Sequence, residues 1–327
     1  MSVDLNALAL QIASELAKGD LARTTPGAAP QGRPGGLPTP PRGVTFAAGP
    51  ARLADFVDHT LLRAEAGRRE VEALCVEAAE HRFAAVCVLP LWVPLCRALL
   101  AGSAVRVATV IGYPTGASRV EVKALEARLA ADDGADELDV VAPISQIRAG
   151  EWRYVAADVA AAVGAVPGRI VKIVLETAAM TPVEIVRAAG IARDEGAHYV
   201  KTSTGAHPAG GATPEAVALL RLAVGDALGV KASGGIRDAS TALAMIAAGA
   251  TRVGTSHGVA MAAATGAGPL PVAELFGAPS ASGGPTARTT TPADSPAAGT
   301  PAAGVPSWGG APFGTPGRGG PVAPHGT

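Results

Sequence analysis

Three lysines in unusual surroundings are the residues of this chain best suited to do chemistry. The 327 residues include five lysines, and the other 22 of the 27 basic residues are arginine. Lys172, Lys201 and Lys231 sit inside short apolar runs: Ile170-Val-Lys172-Ile-Val, Tyr199-Val-Lys201 and Gly229-Val-Lys231. An amine in such a run is poorly solvated, so it must be paired or give up its proton. An unprotonated amine is a nucleophile that condenses with a carbonyl to form a Schiff base. The run carrying Lys201 breaks at once into Thr202-Ser203-Thr204-Gly205, hydroxyls and a glycine suited to a binding loop.

A carboxylate completes the set. Read with a period of two, Glu137-Leu-Asp139-Val-Val turns Asp139 to one side and Leu138 and Val140 to the other, and the same reading aligns Lys172, Lys201, and Lys231 with Ser233. One buried lysine alone reads most simply as half of a structural salt bridge. Three lysines and an aspartate on consecutive strands favour catalysis, because burying several like charges is costly. Two crowded ammonium groups cannot both keep their protons cheaply; the one that lets go attacks the carbonyl, the iminium draws electrons from a neighbouring C–C bond, and Asp139 moves protons. A second site is suggested by Ser233-Gly234-Gly235-Ile, which leads into a helix at Asp238, and by Gly254-Thr-Ser256. Glycine amides at a helix start suit a phosphate, and a plain turn is the other reading of the same residues.

The elements that must position these groups alternate along the chain. Strand-length apolar runs fall at 56–61, 84–89, 105–111, 137–142, 170–175, 199–203, 230–233 and 251–254, with Ala-rich amphipathic segments such as 68–80, 118–132, 182–194, 213–224 and 239–248 between them. "Gly-Ala, then strand" recurs at Gly134, Gly196 and Gly249, the pattern of a helix C-cap followed by strand entry. Eight such units predict an α/β chain closed into a (β/α)8 TIM barrel. An open doubly wound sheet competes, but no Gly-x-Gly-x-x-Gly follows the first strand. In a barrel the C-terminal strand ends carry the site.

The barrel is expected over residues 49–277. Residues 1–23 show helical spacing of Leu and Ile, 24–48 form a Pro/Gly-rich linker, and 278–327, poor in large apolar groups, are expected to be a disordered tail. A formal net charge of −1 without long runs of one sign gives no reason to invoke nucleic acid or an anionic membrane. No stretch approaches the roughly 20 apolar residues of a membrane span, and the first residues lack the features of a signal peptide, so the chain is read as soluble and cytoplasmic. Cys75, Cys87 and Cys96 match no zinc spacing and read as small buried hydrophobes in a reducing compartment.

These motifs resemble a known family, the deoxyribose-phosphate aldolases. The matching words are Asp58-His-Thr60, Ala85-Val-Cys87-Val, Thr109-Val-Ile-Gly-Tyr-Pro114, Ala135-Asp-Glu-Leu-Asp139-Val-Val, Val171-Lys172-Ile-Val-Leu-Glu176-Thr, Val200-Lys201-Thr-Ser-Thr-Gly205 and Val230-Lys231-Ala-Ser-Gly-Gly235-Ile-Arg, in family order over about 50–260. The resemblance implies a class I aldolase that cleaves 2-deoxy-D-ribose 5-phosphate to D-glyceraldehyde 3-phosphate and acetaldehyde, needs neither metal nor cofactor, and works as a homodimer. It implies Lys201 as the Schiff-base lysine, Lys231 as the second lysine, Asp139 as the acid/base and Lys172 as the aspartate's partner. It implies substrate or supporting positions at Thr204, Asp58, Thr60 and Cys87, and phosphate positions at Gly205, Gly234, Gly235, Gly254 and Ser256. His257 stands where the family pattern has a second serine. Two other readings are a related class I aldolase acting on another phosphorylated aldehyde, and a non-catalytic phosphosugar-binding barrel.

Overall fold

The computed structural model describes residues 52–266. The helix expected at 1–23, the linker at 24–48 and the tail at 278–327 lie outside the described residues.

Eight strands follow one another: β1 Val57–Leu61, β2 Ala85–Val88, β3 Arg106–Ile111, β4 Glu137–Val141, β5 Ile170–Val174, β6 Tyr199–Lys201, β7 Gly229–Ser233 and β8 Arg252–Thr255. Each pairs in parallel with the next, and β8 returns to β1, so the sheet closes into a barrel in sequence order. The open sheet is thereby excluded. The helices are α1 Arg68–His81, α2 Val93–Leu99, α3 Val120–Asp132, α4 Ile144–Arg148, α5 Trp152–Ala165, α6 Pro182–Asp194, α7 Pro214–Val224, α8 Ala239–Ala247 and α9 Gly258–Thr265. The strands match the apolar runs to within two residues. The largest difference is in β6, which ends at Lys201 rather than Ser203. The three C-cap glycines, Gly134, Gly196 and Gly249, all have positive φ, as that motif requires.

Strand parity divides the molecule. Outward residues such as Val86, Val107, Leu138, Val140, Ile173, Val200, Val230 and Val253 are buried against the helices. Inward residues differ around the ring: β2 and β3 contribute Ala85, Cys87, Ala108 and Val110, whereas β1 and β4–β8 contribute charged groups. The three helices that close the loops after β5, β6 and β7 begin with side-chain caps. Thr181, Thr213 and Asp238 accept from the amides of Glu184, Ala216 and Thr241, which pins each loop to a fixed helix start. All three cysteines are buried free thiols.

A fourth lysine is buried as well. Lys123 of α3 reaches inward, donating to Asp158 of α5 at 2.5 Å and to the Val141 carbonyl at 2.9 Å. Burial lowers the Lys123 ammonium and raises the Asp158 carboxyl, each against its partner's pull. Removing one partner strands a charge, so Asp158→Leu should lose about 3–5 kcal/mol of stability. The Lys123→Met/Asp158→Leu double variant should recover most of that loss in urea unfolding.

Candidate active site

The barrel register sets the site. Asp139 on β4 lies opposite Lys172 on β5, and Lys201 on β6 lies opposite Lys231 on β7, so all four point to the same inner side. Asp139 is their hub. Its Oδ1 accepts from Lys172 Nζ at 2.6 Å, and its Oδ2 accepts from both Lys201 and Lys231 at 2.8 Å. Lys231 also donates to Asp58 Oδ2, whose other oxygen takes the Arg252 guanidinium at 2.6 Å. Glu137 closes the layer, 2.7 Å from Lys172 and 3.4 Å from Arg252.

Electrostatics separates the members. Burial alone would raise the Asp139 carboxyl, but the ammonium groups of Lys172, Lys201 and Lys231 hold it well below the usual range. Burial alone would lower Lys231, but Asp139 and Asp58 push it well above the usual ammonium range. Lys172 is raised in the same way by Asp139 and Glu137. Four buried basic groups thus meet three carboxylates, and half-exposed Arg106 reaches Glu137 from the rim at 3.0 Å, so cations outnumber carboxylates when all are charged. Lys172 has three carboxylates within ion-pair distance and Lys231 has two. Lys201 has Asp139 alone, and shares the oxygen it uses.

A cavity of about 390 Å³ opens above this layer, at the C-terminal strand ends. Of the cluster, Lys201 lines it; Asp58, Asp139, Lys172 and Lys231 are fully buried beneath. The remaining wall includes Thr60, Tyr113, Thr204, Gly205, Ser233, Gly234, Gly235, Gly254 and Ser256. Its other ionisable lining groups are Arg63, Arg237, His257 and the Tyr113 phenol, so no carboxylate faces the space. Gly234 and Gly235 both adopt positive φ, which bares two successive amides. A Cβ on Gly254 would stand 3.1 Å from Lys231 Cε, so glycine there leaves room for the lysine.

Residues 53–265 match the family described as DeoC/LacD family aldolase. The chain belongs to that aldolase family. It is 50% identical over 212 residues to the deoxyribose-phosphate aldolase of Mannheimia succiniciproducens, a match covering 65% of this chain and 94% of that one. Among solved structures it resembles QR15, an aldolase, with 36% identity and a TM-score of 0.62 over 65% of this chain and 95% of that one. It also resembles the tetrameric deoxyribose phosphate aldolase of Aeropyrum pernix, with 35% identity and a TM-score of 0.59 over 64% and 88%.

For this aldolase the residues expected from the sequence fall in three places. Lys201, Thr60, Thr204, Gly205, Gly234, Gly235, Gly254 and Ser256 line the cavity. Asp58, Asp139, Lys172 and Lys231 form the charged floor, with Thr60 donating to the Asp58 carbonyl at 2.8 Å. Cys87, in register with Thr60, is fully buried in the apolar inner patch of β2 and β3, beside the floor and within reach of the charges of Lys231, Asp139 and Lys201. Sequence reasoning passed over Glu137, Arg252 and Glu176. Glu137 shares the parity of Asp139, and Arg252 that of Gly254, so alternation was a usable signal for both. Glu176 follows the end of its strand, where alternation gives no guidance. Among the described residues, no helix is long and apolar enough to cross a membrane.

Proposed function

We propose that this aldolase cleaves 2-deoxy-D-ribose 5-phosphate to D-glyceraldehyde 3-phosphate and acetaldehyde through an iminium on Lys201. The observation that carries the reading is the position of Lys201: its amine meets the cavity, while the charged groups that hold and move protons lie directly behind it.

Lys201 is the lysine with least carboxylate support and the one that meets the cavity. Its free amine attacks the C1 aldehyde of the open-chain sugar, and the carbinolamine loses water to give the iminium. The C3 hydroxyl then gives up its proton and the C2–C3 bond breaks. Its electron pair flows into the iminium, leaving an enamine and releasing the triose phosphate. Protonation of the enamine carbon and hydrolysis return acetaldehyde and the free amine. Asp139, bonded to Lys201 and Lys231 through one oxygen, passes the protons, and Lys172 holds its other oxygen. Lys231 stays cationic between Asp139 and Asp58, and it shares with Lys201 the Asp139 oxygen that both donate to.

The phosphate is assigned to Gly205, Gly234, Gly235, Gly254 and Ser256, beneath Arg237 and His257. A wall with cationic but no anionic side chains suits a dianion. Retro-aldol turnover, followed through the triose phosphate released, is the direct test. Turnover is expected, and calorimetric binding of the sugar phosphate without cleavage would point instead to a phosphosugar-binding barrel. Unphosphorylated 2-deoxyribose should lose roughly 10²-fold or more in kcat/KM, the cost of leaving several charge-assisted bonds unmade.

We further infer a cytoplasmic homodimer. The three buried free thiols suit a reducing compartment. On α3, Val122, Leu125 and Leu129 are 52%, 45% and 54% exposed at helical spacing, an apolar stripe that a second copy would cover. Light scattering should give twice the chain mass, and Leu129→Glu should shift it to the monomer. A monomeric wild type would contradict this.

A further inference from the structure

Glu176 is a buried carboxylate that the cleavage chemistry leaves without a task. It follows β5 in left-handed backbone (φ 58°, ψ 57°), a conformation shared with Arg82 alone among the described non-glycine residues. Such backbone is unfavourable for an L-residue unless its surroundings hold it. Here the flanking amides do: Leu175 N–H donates to the Lys201 carbonyl at 2.9 Å, and Thr177 N–H donates to the Thr202 carbonyl at 2.8 Å. The side chain is fully buried. Its Oε2 accepts the Thr204 N–H at 3.1 Å and the Thr204 hydroxyl at 2.5 Å, whereas Oε1 has no hydrogen-bonding partner among the described residues. The whole side chain is thus directed at one residue, which lines the cavity three positions after Lys201.

The sense of these bonds follows from the donor inventory. An amide N–H can only donate, so Oε2 is an acceptor. The Thr204 hydroxyl itself accepts from the Ala206 N–H at 3.1 Å. Its single proton goes to Glu176 and one lone pair goes to Ala206, which leaves one lone pair for the cavity. Thr204 can accept from a ligand and cannot donate to one.

We propose that Glu176 is a positioning residue that makes Thr204 an obligate hydrogen-bond acceptor, and so selects substrate aldehydes that carry a hydroxyl beside the carbonyl. This rests on the aldolase reading, in which D-glyceraldehyde 3-phosphate carries that hydroxyl. A buried acceptor left facing a substrate without a donor is the arrangement that discriminates most strongly.

The experiment runs the reaction in the synthetic direction with acetaldehyde. It compares kcat/KM for D-glyceraldehyde 3-phosphate with that for 3-phosphooxypropanal, the same aldehyde without its 2-hydroxyl. In Glu176→Met the Thr204 hydroxyl is free to turn, and the preference ratio should fall about tenfold. Glu176→Gln keeps an oxygen able to replace Oε2 and should hold the ratio within about threefold. Thr204→Val should lose the preference as Glu176→Met does, and combining the two should lose no more than either. An equal loss on both aldehydes in Glu176→Met, with the ratio intact, overturns the proposal. Should that variant not fold, an intact ratio in Thr204→Val overturns it. Wild-type protein that forms no product from either aldehyde overturns the aldolase reading and this inference together, whereas turnover with an unaltered ratio in the variants overturns this inference alone.

Discussion

Lys201→Met should abolish cleavage of deoxyribose 5-phosphate, a loss on the order of 10⁴-fold or more in kcat, while the barrel stays folded. The size follows from the division of labour in the floor. Lys172 and Lys231 are held cationic by carboxylates and are sealed from the cavity, so neither can reach a carbonyl in its place. Methionine matches the length of the lysine stem and removes the amine without opening a large void. It also removes one of the cations that outnumber the carboxylates, so the charges left around Asp139 and Asp58 come closer to balance. Folding stability should therefore change little or rise. A variant retaining more than about one hundredth of wild-type kcat would place the nucleophile elsewhere.

Asp139→Asn should damage both activity and stability. Its carboxylate is the single group that touches Lys172, Lys201 and Lys231 together, and an amide can offer one acceptor oxygen where two now serve. Stripping the charge leaves Lys172 and Lys231 buried with less compensation, for which about 3–5 kcal/mol is the usual cost. The proton path to the carbinolamine goes with it, about 10²–10⁴-fold in kcat. Chemical denaturation and single-turnover kinetics separate the two effects.

The same groups set how stability depends on pH. Asp58, Asp139 and Glu137 are held below their ordinary values, chiefly against burial, by the surrounding cations. The unfolded chain binds their protons first, so their contribution is present above about pH 4 and fades as pH falls further. Lys172 and Lys231 are raised above their ordinary value by Asp139 and its neighbours. Their contribution is complete below about pH 10 and lost only as pH climbs beyond it. Unfolding free energy should accordingly run nearly flat through neutral pH and fall at both extremes, and Asp139→Asn should shrink the acid-side fall.

Much of this was legible in the sequence because a barrel strand has a simple code. Alternation alone put Asp139, Lys172, Lys201 and Lys231 on one side, and the closed ring makes that side the interior. What alternation cannot give is the register between strands, and register is what sets Lys201 opposite Lys231 and Asp139 opposite Lys172. Arg252 and Glu137 became meaningful once β8 and β4 were seen to converge on Asp58 and Lys172. Lys123 was hidden for another reason. On an amphipathic helix a lysine reads as solvated, and its partner Asp158 is 35 residues away. Glu176 depends on a backbone conformation that neighbouring residue types do not announce.

Which amine meets the carbonyl decides the mechanism. Incubation with acetaldehyde followed by borohydride reduction should fix one ethyl group per chain, and peptide mapping should place it on Lys201. An adduct on Lys172 or Lys231, or no adduct in a protein that still cleaves the sugar phosphate, would contradict it.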